Sequence, residues 1–210
     1  MSNFKVLTCA VPLSYPHLFA PQPPMEPGGK EKFGVVLVFD EAAQATDEFA
    51  EMKQTLLDCV YDKYGKDKGS QMLKSNKLKT PFRTDRNGYA EGTVTVGVSS
   101  IDRPGIVSIY PDANGKPSSL TDESKVYPGV IGRASIRAYC YDVGVNKGVT
   151  FGLNNVQILR DGVRLDGRVQ AKDEFEADMS AVAPLEDLTD EGGEGVVSDM
   201  SVDLLDIMNS

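Results

Sequence analysis

The sequence predicts a small, mainly β domain: a barrel of five to six short strands with one main α-helix, followed by a disordered acidic C-terminal tail. Three observations predict it. The 210 residues include 20 glycines and 12 prolines, which implies frequent turns and short elements. Period-2 alternation recurs along the chain, whereas a convincing helical period occurs once. Charge is also split: residues 173–210 hold twelve of the 31 Asp and Glu and no Lys, Arg or His. That leaves 19 acids against 22 Lys and Arg in residues 1–172, so the formal −9 hides a body of +3 joined to a tail of −12. The expected division is a folded domain over 1–172 and a tail over 173–210.

The elements follow in order. Lys5–Val11 reads as a first strand, and His17 falls in a Ser-Tyr-Pro-His-Leu-Phe turn. Residues 21–29, PQPPMEPGG, form a loop. FGVVLVF (Phe33–Phe39) is a short apolar run, as expected of a buried strand. The helix comes next. Thr46 caps it, Asp47 and Glu48 suit its first turn, and Gly65 ends it. Phe49, Met52, Leu56 and Val60 give it one apolar face for core packing. Thr93–Val98, Gly105–Tyr110, Val130–Tyr141 and Val149–Leu159 read as strands, with turns at Asn114-Gly115 and Asp161-Gly162. About six strands and one helix suit a closed or partly closed barrel.

Several function classes are disfavoured. The single histidine, His17, cannot alone build a His-based triad or a two-histidine metal site. There is no phosphate-binding GxxxxGK[ST], no GxSxG and no HExxH. Neither a catalytic group nor a cofactor or metal is expected, although carboxylate-based metal nucleases need no contiguous motif. Cys9, Cys59 and Cys140 are too few and too scattered for a disulfide framework or a zinc knuckle, which fits a reducing compartment. No signal peptide and no membrane-length apolar run is present, so a cytoplasmic location is expected.

Strand 131–141 is the most informative element for function. Alternation places Ala134, Ile136, Ala138 and Cys140 on one face, suited to a core. The other face carries Arg133, Ser135, Arg137, Tyr139 and Tyr141. Guanidinium groups that pair with phosphates, next to rings that stack bases, are what sequence-tolerant single-strand binders need. A solvated face with amphipathic tyrosines is the plain alternative. Residues 63–86 add eight Lys and Arg against two acids, with Lys77, Lys79 and Arg83 around Phe82. This segment reads either as part of a phosphate-binding surface or as a solvated loop.

The tail is more than uniform acid. Its end sets Leu204, Leu205, Ile207 and Met208 among Asp199, Asp203 and Asp206, a short apolar tip suited to docking on a basic-rimmed pocket of a partner. A solvating tail, or a short helix packed on the body, remains the alternative.

The run YPGVIGRASIRAYCYDVGVNKGVTFGLNNVQILRDGVRLDGR (Tyr127–Arg168) resembles a family of phage-encoded single-stranded-DNA-binding proteins with an OB-fold. LSYPHLFAP (Leu13–Pro21), RPGIV (Arg103–Val107) and GLNNVQ (Gly152–Gln157) support the likeness, which covers nearly all of residues 5–177. The resemblance implies an OB-like barrel, sequence-tolerant binding of single-stranded DNA, no catalysis and no metal. It places Arg133 and Tyr139 at positions where members carry an arginine and an aromatic. The expected function is therefore a phage replication or recombination accessory protein. Its DNA surface would comprise Arg133, Arg137, Tyr139, Tyr141, Lys77, Lys79, Phe82, Arg83 and Arg103. The tail would compete with DNA or recruit replication or recombination proteins, and the protein would self-associate along the strand. A phage structural or assembly protein, and a metal-dependent nuclease, are the competing expectations.

Overall fold

The computed structural model describes residues 4–24, 28–84, 86–143 and 146–167. The chain divides into two units, Met1–Val169 and Gln170–Ser210. The expected tail and its apolar tip lie outside the described residues.

Nine strands form one sheet among the described residues: β1 Lys5–Leu7, β2 Val11–Gln22, β3 Lys32–Phe39, β4 Phe82–Arg83, β5 Val94–Ser100, β6 Gly105–Pro111, β7 Pro117–Ser119, β8 Ile131–Val143 and β9 Asn146–Arg160. Five of them close on themselves. β2 pairs with β3, β3 with β5, β5 with β9, β9 with β8, and β8 again with β2. Taken in chain order these five strands neighbour one another as 1-2-3-5-4-1, an OB-like Greek-key barrel. β1 extends the sheet beyond β8, while β6 and β7 extend it beyond β9.

The β5–β9 seam is the weak point of the barrel, with one registered parallel pair, Ser99 opposite Gly152. The chain segment before β5 fills it. Lys79 bridges to Gly148 of β9, and β4 then pairs with β5.

Alternation builds the core. Val35, Leu37 and Phe39 of β3, Val96 and Val98 of β5, Ala134, Ile136 and Ala138 of β8, and Val149, Phe151 and Leu153 of β9 are all buried. Helix α2 (Asp47–Tyr64) follows the short α1 (Glu41–Gln44) and packs against β1, β8 and β9. Its cap is the predicted one: Thr46 Oγ1 accepts from the Phe49 amide at 3.3 Å. The predicted stripe of Phe49, Met52, Leu56 and Val60 is buried, each side chain contributing about 1.5–3 kcal/mol. Phe49 leans on Phe39, with ring centroids 4.9 Å apart.

Three expectations require correction. The first strand is two, β1 and β2, and His17 lies on β2 rather than in a turn. The prolines suggested a break. In the structure the β2–β3 register shifts between Ser14 and His17, so Pro16, which lacks an amide donor, falls in an irregularity of the ladder. Part of the basic 63–86 segment is a third helix, α3 (Lys66–Lys74), followed by the seam-filling chain. The turn expected at Asp161-Gly162 does not form; this chain lies against the loop at Tyr127–Gly129. The expected Asn114-Gly115 turn does join β6 to β7, and Gly115 has the left-handed φ of +73° that such a turn favours.

Candidate nucleic-acid interface

The outer face of β8 holds Arg133, Ser135, Arg137, Tyr139 and Tyr141, because their inward-facing neighbours Ala134, Ile136 and Ala138 are taken into the core. Cys140 is the exception to a purely apolar inner face, half-buried against α2 with its Sγ 3.7 Å from Cys59 Sγ.

The two tyrosine rings rest on glycines of β9. A Cβ on Gly152 would lie 3.4 Å from the Tyr139 ring, and one on Gly148 would overlap the Tyr141 phenol. Gly148, opposite Tyr141, and Gly152, diagonal to Tyr139, thus let the rings lie across the sheet. Tyr139 remains 40 % exposed. Burial raises its phenol pKa above the usual value, Tyr141 adds to that, and Arg137 opposes it. Tyr139 is a neutral ring at physiological pH.

The cations are held differently. Arg133 is half-buried, and its Nε donates to Gln157 Oε1 at 2.9 Å; Gln157 Nε2 in turn donates to the Ser108 carbonyl at 3.3 Å. Arg137 is exposed, faces Lys5 across the β1–β8 ladder, and makes no ion pair among the described residues. Two adjacent cations without a carboxylate favour an anionic ligand.

Pairing registers link this face to the rest of the barrel. Lys5 pairs with Arg137, Arg137 with Gly152, Gly152 with Ser99, Ser99 with Gly34, and Gly34 with His17. One row of backbone partners therefore crosses β1, β8, β9, β5, β3 and β2. Side chains are small at its centre. Gly34 and Ser99 there open into a groove of about 370 Å³ that is also lined by Lys30, Lys32 and Phe33. Arg103 stands beside the same end of the barrel, 5.6 Å from the Phe19 ring centroid.

The remaining sequence candidates separate. Lys79 supports β9 through its backbone, and its Nζ donates to Asn146 Oδ1 at 2.8 Å, near Tyr141. Lys77 is exposed just before it. Arg83 is exposed on β4, opposite Thr95. Phe82 is half-buried. Its ring packs edge-on against Phe49 (5.8 Å) and Phe151 (6.3 Å), because the period of β4 turns it toward the core as it turns Arg83 outward. It also lines an open cavity together with Arg83, Thr84 and Arg86. The tail candidates Asp199, Asp203, Leu204, Leu205, Asp206, Ile207 and Met208 lie outside the described residues.

Sequence reasoning missed a second aromatic and basic group. Tyr15 is 57 % exposed, Arg86 lies over its ring at 5.4 Å, and Tyr89 donates to Ser14 Oγ at 2.8 Å. Reading the proline-rich stretch as a turn concealed it. The available signal was the strand period through Leu13 and Leu18, interrupted by a bulge. Among the described residues no group of three or more His, Cys, Asp or Glu could hold a metal ion, and no helix is long and apolar enough to cross a membrane.

Residues 4–185 match the profile of a family described as the single-stranded-DNA-binding protein of Enterobacter phage Enc34. Among solved structures, the fold resembles the single-stranded DNA-binding protein from bacteriophage Enc34 in complex with ssDNA. The TM-score is 0.59 and identity 17 %, over 76 % of this chain and 88 % of that one. A structure of the Enc34 protein described without DNA aligns with TM-score 0.56 and 18 % identity, over 82 % and 90 % of the two chains. The single-stranded DNA-binding protein gp2.5 of bacteriophage T7 aligns with TM-score 0.53 and 13 % identity, over 93 % and 100 %. At these identities the structural likeness speaks for the fold. No curated protein matches the sequence.

Proposed function

The chain belongs to the phage single-stranded-DNA-binding family described from Enterobacter phage Enc34, and from that membership we propose that it binds single-stranded DNA without sequence preference in phage replication or recombination. The observation that carries the route is the row from Lys5 and Arg137 through Gly152 and Ser99 to Gly34. Cations stand at one end and a lysine-lined groove opens at its centre. Neighbouring strands are about 4.8 Å apart, so the five steps from β1 to β2 span roughly 24 Å along the row. That is room for several nucleotides crossing the strands.

Along this route Arg137, Lys5, Lys79 and Arg103 neutralise phosphates, while Tyr139 and Tyr141 stack bases. Arg133 contributes from the half-buried side of the same face. Stacking on a ring is sequence-tolerant and contributes about 1–3 kcal/mol per base. The glycines and serine at the centre let the chain approach the sheet closely. The reading assigns the protein no catalytic step. The acidic tail, by charge, competes for the cationic surface and leaves it when DNA binds, which frees its apolar tip for replication or recombination partners.

A gel shift with labelled oligo-dT tests the reading. Retention that weakens with salt, by a slope of about −0.7 per neutralised phosphate, is expected, with the oligonucleotide intact after Mg²⁺ is added. Tyr139→Ala with Tyr141→Ala should weaken binding while the fold survives. No shift at low salt, or a double variant that binds like the parent, overturns it.

A further inference from the structure

The geometry points to a pocket beside Tyr15 that holds one unstacked nucleobase at the β2 end of the DNA route; this rests on the single-strand-binding reading above. Tyr15 has a φ of +47°, in the left-handed region that a bulky residue rarely adopts. It lies where the β2–β3 register shifts between Ser14 and His17. Irregularities of this kind re-aim side chains and gather at functional sites. The re-aimed ring is not spent on packing, since more than half of Tyr15 is exposed.

The surroundings supply the other parts of a base site. The cavity beside the ring has a volume of about 190 Å³, enough for a single heterocycle. Tyr89 forms a wall, fixed by its 2.8 Å hydrogen bond to Ser14 Oγ. Pro128 and Leu165 provide apolar lining. Asn87 also lines it, exposed and without a hydrogen bond among the described residues, so its amide is available to a base edge. Arg86, over the Tyr15 ring, places a guanidinium at the rim for the adjoining phosphate.

The charge pattern sets the orientation. Asp166, exposed, also lines the cavity and is paired with Arg164 at 2.7 Å. That pair offsets its charge, so the cation standing beside the cavity for a phosphate is the Arg86 guanidinium. The base therefore enters and the backbone stays at the Arg86 rim. Continuity with the route is direct, because His17, at the end of the pairing row, is two residues from Tyr15 on the same strand.

The test uses Tyr15→Gly in the full chain. Glycine suits a positive φ, so the thermal midpoint should hold or rise while the ring is lost. Affinity for oligo-dT should fall roughly tenfold with an unchanged salt slope, since the ring carries no charge. Arg86→Gln should reduce the slope by about 0.7. A 5-iodouracil-substituted oligonucleotide should photocrosslink to the peptide containing Tyr15 or Tyr89. Wild-type binding that is lost in Arg137→Ala but unaltered in Tyr15→Gly, with crosslinks confined to Tyr139 and Tyr141, overturns the pocket and leaves the parent reading intact. Failure of the wild-type chain to bind any oligonucleotide overturns both.

Discussion

Arg133 and Gln157 face each other across β8 and β9, and the arginine Nε donates to the glutamine Oε1 at 2.9 Å. The glutamine is itself tied to the Ser108 carbonyl, so a side chain with many rotamers is held in one. Such preorganisation lowers the ordering cost of binding a phosphate. Gln157→Ala is expected to weaken DNA binding severalfold, and the effect should vanish in an Arg133→Ala background. Gln157→Glu keeps the acceptor but neutralises the arginine, so the salt slope should shrink by about 0.7. Additive losses in the double variant would show that the two residues act separately.

A second pair of chain segments is held by Tyr127. Its phenol donates to Asp161 Oδ1 at 2.9 Å and accepts from the Gly162 amide at 3.1 Å, with Arg164 over the ring at 4.8 Å. The backbones touch here: a Cβ on Gly129 would overlap the Val163 carbonyl oxygen, and one on Gly162 would overlap that of Gly129. Gly129 also has a φ of +105°. Gly129→Ala should therefore cost about 3 kcal/mol or more, read as a lower urea midpoint at unchanged m-value. A variant as stable as the parent would mean that these segments part readily.

Alkaline pH should weaken the fold through the thiol pair. Burial raises the pKa of both Cys59 and Cys140, the latter from 9.0 to about 12. The folded state thus favours the protonated thiols more than the unfolded chain does. Their contribution is complete below pH 9 and is lost as pH climbs toward 12. Tyr127, also raised by burial from 10.0, adds to the loss in the upper part of that range. Urea midpoints measured from pH 8 to 11 should fall, and fall less steeply in Cys140→Ala. A midpoint independent of pH would contradict the burial of these groups.

Deleting residues 173–210 removes twelve carboxylates and no cation. If the tail competes for the cationic face, the truncated chain should bind oligo-dT more tightly, with the largest gain at low salt. Equal affinity at every salt concentration would reject competition.

Legibility in the sequence tracked how local each signal was. The α2 cap at Thr46 and its stripe are set within a few residues, and both occur as expected. The outward Arg and Tyr series of β8 follows from strand period alone. The packing of Phe82 against Phe49 and Phe151 was not legible because a two-residue strand has too little period to reveal which side faces in. Tyr15 was overlooked because prolines around a bulge resemble a turn until the partner strand is known.

The chain by itself determined its main helix and most of its longer strands, the charge division between body and tail, and the chemistry of one strand face, since these depend on neighbours in sequence. Only the tertiary structure decided that five strands close in the order 1-2-3-5-4, that Gly152, Ser99 and Gly34 continue the row begun by Arg137, and that Tyr15 meets Arg86. Those relations join residues tens of positions apart. They are set by register and barrel closure, which no local pattern encodes.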